Sequence, residues 1–145
     1  MKISSRGEYG LLALIDIARH SGSGPVQVLQ ISERQGIPKQ YLDQLMLALK
    51  NARLVASVRG RQGGYVLAKP ATSITLFDIV SALEGPVGNT NFMPGRSRRR
   101  NVARSVLNDL WQGLHAHTES VLKSKTVAQM LEECDAMESA ITYEI

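Results

Sequence analysis

Cysteine is all but missing from this chain: Cys134 is the only one in 145 residues. One thiol makes no intrachain disulfide and no multi-thiolate metal site, so a disulfide framework and a cysteine-built zinc site are both excluded. Also missing is any apolar run near the roughly 18–20 residues that cross a bilayer. The N-terminal MKISSRGEYG is charged but leads into no uninterrupted apolar segment, because Asp16 and Arg19 break the one that follows. A reduced, cytoplasmic protein with no membrane partner is the expectation. There is no Ser–His–Asp, Walker or Rossmann signature and no cluster of catalytic acids, so the chain is not read as an enzyme. His115 and His117 stand two apart on a helix, do not share a face and make a poor metal pair. Cys134 lies among Glu132, Glu133 and Asp135, the opposite of the cationic surroundings that activate a thiolate. No metal site and no cofactor are expected.

Positive charge is missing from the C-terminal end of the chain. The formal net charge is +4, but no Lys or Arg follows Lys125. Residues 1–125 hold all 17 cations against eight acids, a net +9, and residues 126–145 carry −5. A basic body of this size points to an anionic partner, nucleic acid before membrane surface. Charge alone fits a merely soluble basic protein equally well, so patterning has to decide.

The patterning is mainly helical with one small β-hairpin. Residues 5–20 form an amphipathic helix, with Leu11, Leu12, Leu14, Ile15 and Ile17 on a broad apolar band between Glu8, Asp16 and Arg19. Ser21-Gly22-Ser23-Gly24-Pro25 stops it. A short helix over about 27–35 turns Val28 and Ile31 inward and Glu33 and Arg34 outward, and Gly36 ends it. A third runs from Pro38 to about Ala52, with Leu42, Leu45 and Leu49 at helical spacing. Two short helices around a tight glycine-containing turn make a helix-turn-helix. Leu54–Val58 and Tyr65–Ala68 then read as strands around a glycine-rich tip. Between Lys50 and Lys69 stand five cations and no acid. Three helices followed by a basic hairpin is the order of a winged helix. Residues 74–84 form a further helix, and 86–95 a loop with two Pro and two Gly.

From about Arg96 to Lys123 a long helix is expected, led by Arg96, Arg98, Arg99, Arg100 and Arg104. Val102, Val106, Leu110, Leu114, His117 and Val121 give it an apolar stripe, widened by Leu107 and Trp111. At 1.5 Å per residue it would be about 40 Å long, more than a domain of this size covers by itself. A second copy of the same helix is the economical cover, so Val102, Val106, Leu110, Leu114 and Val121 are the candidate dimer residues. The arginines repel one another and oppose the helix dipole; either an anionic partner compensates them or they form a solvated charge run. Thr126 caps a last short helix, VAQMLEECDAM, before an acidic tail. The expected organisation is a winged helix-turn-helix domain over 1–85, a loop over 86–95, and the long and short helices over 96–145.

A recognition helix sets its N-terminal side chains against base edges. Here those are Lys39, Gln40, Tyr41, Asp43 and Gln44: Gln bonds adenine, Lys guanine, and Asp accepts from cytosine. The bland alternative is a solvated polar face, with Tyr41 packed on the protein. At the hairpin tip, Arg59 and Arg61 supply phosphate or minor-groove contacts, Gln62 lies beside them, and the side-chain-free Gly63 and Gly64 allow a close approach. An ordinary turn would explain the glycines but not the arginines.

The elements IP..YL.QL over 37–45, LV.S.RG..GGY.LA over 54–68 and EGP over 84–86 stand in series. With them, residues 2–87 resemble the Rrf-two family of bacterial winged-helix transcription regulators, and the long and short final helices follow its layout more loosely. The resemblance implies double-stranded DNA as partner, a homodimer joined through the long helix, recognition helices in successive major grooves, wings in the minor groove and a pseudo-palindromic operator, read as a repressor's. It places Lys39, Gln40, Tyr41, Asp43, Gln44, Arg59, Arg61 and Gln62 at DNA-contact positions. Sensor members hold an iron–sulfur cluster with three cysteines between EGP and the long helix, and some add a first-helix carboxylate. Here Val87 to Arg104 contains no cysteine, Phe92 stands about where the first would be, and Glu8, at the carboxylate position, is left a surface acid. The expectation is the cluster-free branch, answering to a small-molecule effector, thiol oxidation or a partner protein. The reading from another class is a protein-interaction module that keeps the scaffold and signals through its acidic tail.

Overall fold

A computed structural model describes residues 3–87 and 101–144. The first helix, α1 (Ser5–Arg19), runs through the middle of the fold, with Ala13, Leu14 and Ile17 fully buried. Its N-terminus is closed twice. The Ser4 hydroxyl accepts from the Gly7 amide at 3.5 Å, and the Glu84 carboxylate accepts from the Ser4 amide, the Ser4 hydroxyl and the Gly7 amide. Those bonds hold the Glu84 carboxyl below its ordinary pKa, the Ser4 hydroxyl contributing most. Glu84 of the EGP element thus caps a helix 77 or more residues earlier. Gly10 lets the two helices meet, since a Cβ there would sit 2.1 Å from Leu83 Cδ1.

α2 (Val28–Gln35) ends at Gly36 in the left-handed conformation, and α3 (Lys39–Asn51) starts directly after Pro38. Ile31 from α2 and Leu42, Leu45, Met46 and Leu49 from α3 enter the core beside α1. Each such side chain contributes about 1.5–3 kcal/mol on burial. β1 (Val55–Val58) and β2 (Gly64–Leu67) pair antiparallel, Val55 opposite Leu67 and Val58 opposite Gly64. α4 (Leu76–Glu84), with Ile79 and Leu83 inward, completes the winged helix-turn-helix expected from the sequence.

Two features of the C-terminal half differ from expectation. α5 spans Val102–Ser124, with Asn101 in extended conformation and its side chain accepting from the Arg104 amide. That cap starts the helix later than Arg96, so Arg104 is the one member of the arginine run on it; Arg96, Arg98, Arg99 and Arg100 lie outside the described residues. α6 spans Val127–Glu144, 18 residues rather than a short helix followed by a tail. The acids lie on it, and the helix is anchored: Arg19 reaches Asp135 at 3.2 Å and Glu138 at 2.9 Å, and Lys125 pairs with Glu133. Val127 is fully buried, and Met130 and Leu131 pack on the same core. Thr75 and Thr126 each cap a helix, with Asp78 and Gln129 returning the bond, and the two caps are bridged through Leu76 N to Lys125 O and Val127 N to Ile74 O. No helix among the described residues is long and apolar enough to cross a membrane.

Candidate nucleic-acid interface

Helix periodicity divides α3 sharply. Leu42, Leu45, Met46 and Leu49 are buried, while Lys39, Gln40, Asp43, Gln44 and Lys50 are exposed. Lys39 Nζ reaches Asp43 Oδ2 at 3.0 Å one turn on, an exposed pair that contributes little stability but orients both groups. Tyr41 is placed differently from its neighbours. It is half-buried, edge-on to Tyr9 of α1 with centroids 5.7 Å apart, so its ring braces the start of α3. Leu47 joins the outward face that sequence reasoning missed. It is 57 % exposed, one or two turns along from Gln40, Asp43 and Gln44, where an apolar side chain suits a thymine methyl. Its seven-residue spacing from Gln40 was the available signal.

The wing is built on more than its two strands. Val26, just before α2, exchanges both backbone hydrogen bonds with Tyr65, at 2.9 and 2.8 Å. Gln27 Nε2 donates to the Arg61 carbonyl at 3.3 Å. The hairpin and the helix-turn-helix are therefore one body. Arg59, Arg61 and Gln62 are exposed at the tip. Gly63 and Gly64 have reasons internal to the protein. A Cβ on Gly63, which is buried, would lie 2.2 Å from the Val58 carbonyl oxygen. One on Gly64, at φ 146°, would lie 2.4 Å from the Val26 carbonyl oxygen.

Among the described residues, Lys50, Arg53, Arg59, Arg61 and Lys69 make no ion pair, whereas Arg19, Arg34 and Lys125 are matched with acids. Arg6 and Arg104 are also without an ion pair, so five of the seven unneutralised cations among the described residues fall on the end of α3 and the hairpin. Arg34 is exposed, as its place on the outer side of α2 implies, and from there its guanidinium reaches back to α1. Asp16, 2 % exposed, accepts from Arg34 Nη2 at 2.6 Å, Arg34 Nε at 3.0 Å and Gln35 Nε2 at 2.9 Å. Burial raises the Asp16 pKa, but the hydrogen bonds from Arg34 and Gln35, with the Arg34 and His20 charges, bring it below the ordinary carboxylate value. This buried clamp fixes the angle of the helix-turn-helix on the core.

A helix-turn-helix joined to a basic wing is a DNA-reading arrangement, and comparison with known proteins decides its lineage. The Rrf2 family model, described as an iron-dependent transcriptional regulator, matches residues 3–133. The chain belongs to the Rrf2 family. It is 38 % identical over 140 residues to the HTH-type transcriptional regulator IscR of Yersinia enterocolitica, covering 97 % of this chain and 85 % of that protein. It is similar in structure to CymR, the global cysteine regulator of B. subtilis, with TM-score 0.79, 33 % identity and coverage of 92 % and 98 %. The IscR of T. potens gives TM-score 0.75 at 40 % identity, covering 92 % and 88 %. As an Rrf2 protein the chain is a DNA-binding regulator of transcription, not an enzyme.

The family description names iron, so the donor set of this Rrf2 chain needs testing. The single Cys134 sits half-buried on α6. Residues 88–100 contain no Cys, His, Asp or Glu in sequence. Among the described residues no three such side chains are grouped as metal ligands. The residues present do not fit an iron–sulfur cluster, which needs several thiolates converging on one site.

Proposed function

We propose that this Rrf2 protein is a cytoplasmic homodimer that binds a pseudo-palindromic operator and represses transcription without an iron–sulfur cluster. The observation that carries the reading is the exposed polar face of α3 joined rigidly to a wing whose cations have no partner among the described residues. Lys39, Gln40, Asp43 and Gln44 read base edges in the major groove; Arg59, Arg61 and Gln62 hold the flanking backbone or minor groove. Tyr41, Gly63 and Gly64 serve this interface by shaping it from within.

Dimerisation is supported by α5. Val102, Val106, Leu110, Leu114 and Val121 are each at least half exposed, and Leu107 and Trp111 more than two-fifths. A stripe that apolar on a monomer is an interaction surface. A two-fold dimer then presents two recognition helices to two half-sites about one turn of DNA apart, and a bound dimer occludes a promoter. The acidic residues of α6 do not form a free docking tail, since Asp135, Glu138 and Glu133 are engaged by Arg19 and Lys125.

Mobility shifts with genomic fragments at graded salt test this reading. The expected result is sequence-selective retention with a steep salt slope. Arg59→Ala should weaken all sites and lower the slope by about one; Gln44→Ala should cost about 1–3 kcal/mol and relax one operator position. Retention that ignores sequence at every salt concentration overturns the proposal. In parallel, protein purified anaerobically should be colourless, and stoichiometric iron with a charge-transfer spectrum would refute the cluster-free assignment. A reporter gene behind the retained operator should fall silent when the protein is supplied, and a rise would reverse the sign.

A further inference from the structure

Arg53 occupies a backbone position suited to glycine. It follows the Ala52 cap of α3 at φ 59°, and among the described residues no other non-glycine has a positive φ. A Cβ is disfavoured in that conformation, whereas glycine ends helices there without strain. A side chain kept in such a place is held by the protein or used outside it. Arg53 is exposed and makes no ion pair among the described residues, so nothing on the protein's own charged surface holds it.

The hairpin register sets two further cations beside it. Val55 stands opposite Leu67, and Ala68 N donates to Leu54 O at 3.0 Å, so Arg53 and Lys69 face each other across the base of the wing. Arg53 N is bonded to Lys50 O at 2.9 Å, which brings in the last turn of α3. All three residues are exposed, and residues 44–77 contain no acid that could neutralise them. Lys50 also continues the outward face of α3 that carries Lys39, Asp43 and Leu47. From Leu54 to Arg59 run five strand steps, about 17 Å. That exceeds the widths of about 12 and 6 Å of the two grooves of B-DNA, so base and tip cannot hold the same phosphates.

We propose that Arg53, with Lys50 and Lys69, is a second seat for the DNA backbone at the base of the wing, separate from the arginines of the tip. This rests on α3 and the wing reading DNA, and it gives the strain at Arg53 a use. The patch is open and continuous with the α3 face, which suits a duplex; a small anion would need donors converging on one point. Contacts to phosphate carry no sequence information, so losing this one should weaken every duplex alike.

Salt titration tests the seat, read as fluorescence anisotropy of a labelled duplex of mixed sequence. Each phosphate contact adds about 0.9 to the slope of log affinity against log salt. Arg53→Gly should lower the slope by that amount per bound protomer, a loss of about eightfold per contact at 0.1 M salt that closes towards 1 M. Arg53→Gln should lose as much, and Arg53→Lys should keep the parent's slope. The glycine variant should also unfold at a higher urea concentration than the parent, so that binding weakens while the fold strengthens. A merely structural role for Arg53 would move both the same way, and that result overturns the proposal. Arg104→Gln removes another unpaired cation, on α5, and should leave the slope unchanged; an equal loss there would assign the effect to net charge and overturn the seat. Combining Arg59→Ala with Arg53→Gly should lower the slope by the sum of the two, and a double variant no lower than either single one refutes the separation of base from tip. Parent-like slopes in both Arg53→Gly and Arg53→Gln remove the seat and leave the DNA reading standing. A parent that binds no duplex at any salt concentration removes that reading, and the seat with it.

Discussion

Removing Arg34 should damage this protein more than removing Asp16, although the two side chains share the same bonds. Asp16 is the buried partner, its side chain 1 % exposed, while Arg34 is 35 % exposed. Asp16→Ala frees a guanidinium that swings into water, and the expected cost lies near about 3 kcal/mol, the low end for breaking a buried pair. Arg34→Ala strands a carboxylate with only Gln35 at 2.9 Å and His20 at 3.7 Å beside it, which puts the cost near about 5 kcal/mol at pH 7. For a chain of this size 1 kcal/mol corresponds to roughly 2–4 °C in Tm, so the two variants should melt about 6–12 °C and 10–20 °C below the parent. The pH dependence separates this account from a generic packing loss. In the parent the folded Asp16 pKa is depressed, so its stabilisation is complete above the unfolded value of about 3.9 and disappears as pH falls through the folded value. In Arg34→Ala burial, the largest influence on this carboxyl, is opposed only by Gln35 and His20, and the folded pKa rises above the unfolded one. Protonation then favours the fold, and the gap between variant and parent narrows as pH is lowered from 7 to 4. Circular dichroism melts at matched protein concentration across that range measure both effects. Equal losses in the two variants, or a gap in Arg34→Ala that widens on acidification, would refute the reasoning.

Arg53 follows the Ala52 cap of α3 at φ 59°, the one non-glycine among the described residues with positive φ, with Arg53 N bonded to Lys50 O and Leu54 N to Leu49 O. Glycine is native to that helix-ending position, so Arg53→Gly should raise stability by about 1 kcal/mol in urea titration; a decrease would show that the arginine side chain is held by something stronger than its strain. Gly64→Ala should lose at least about 2 kcal/mol and loosen the wing, read as lost amide protection at Val26 and Tyr65, because its Cβ would collide with the Val26 carbonyl. Unchanged exchange there disproves the collision. Glu84→Gln should cost about 1 kcal/mol at neutral pH through the weakened α1 cap. That difference should vanish as pH falls through the depressed folded pKa of the parent carboxyl, where it too is protonated, and a pH-independent difference would rule the charge out.

The winged helix was legible because its signals are local. Gly36 in the left-handed turn, Leu42, Leu45 and Leu49 at helical spacing, and the glycine tip each declare a short element without reference to any other. Asp16 was illegible for the opposite reason: periodicity marks a charged residue as an interruption of the apolar band, and only the fold shows that Arg34, 18 residues later, makes it an interior position. Glu84 capping α1 is hidden in the same way, by 80 residues between donor and acceptor. The start of α5 was misjudged because arginines are good helix formers and Asn101 gives no stronger signal than any other asparagine. Only its bond to the Arg104 amide marks it as the cap.

The same contrast between charge and its partner reshapes the reading of the net +4. Sequence separates a basic body from an acidic end, and electrostatics alone would let that end fold over the DNA-reading surface and neutralise it. The structure sends it elsewhere. Val127, Met130 and Leu131 fasten α6 to the core beside α1, so its acids meet Arg19 and Lys125 instead of the wing. Hydrophobic anchoring, contributing about 1.5–3 kcal/mol per buried side chain, outweighs exposed ion pairs of at most about 1 kcal/mol each. The apolar residues thus choose where α6 lies, and the salt bridges follow from that choice. Among the described residues, seven cations remain without an ion pair, and five of them, Lys50, Arg53, Arg59, Arg61 and Lys69, lie together where α3 and the wing would meet a phosphate backbone, the other two being Arg6 and Arg104. Charge reversal on α6, as in Asp135→Lys with Glu138→Lys, should therefore detach Arg19 and leave operator affinity nearly unchanged at physiological salt, because beyond the roughly 8 Å screening length those acids do not reach the DNA. A tenfold change in affinity from that double variant would mean that α6 lies close enough to DNA to share its field, and the sorting of charge argued from the fold would fail.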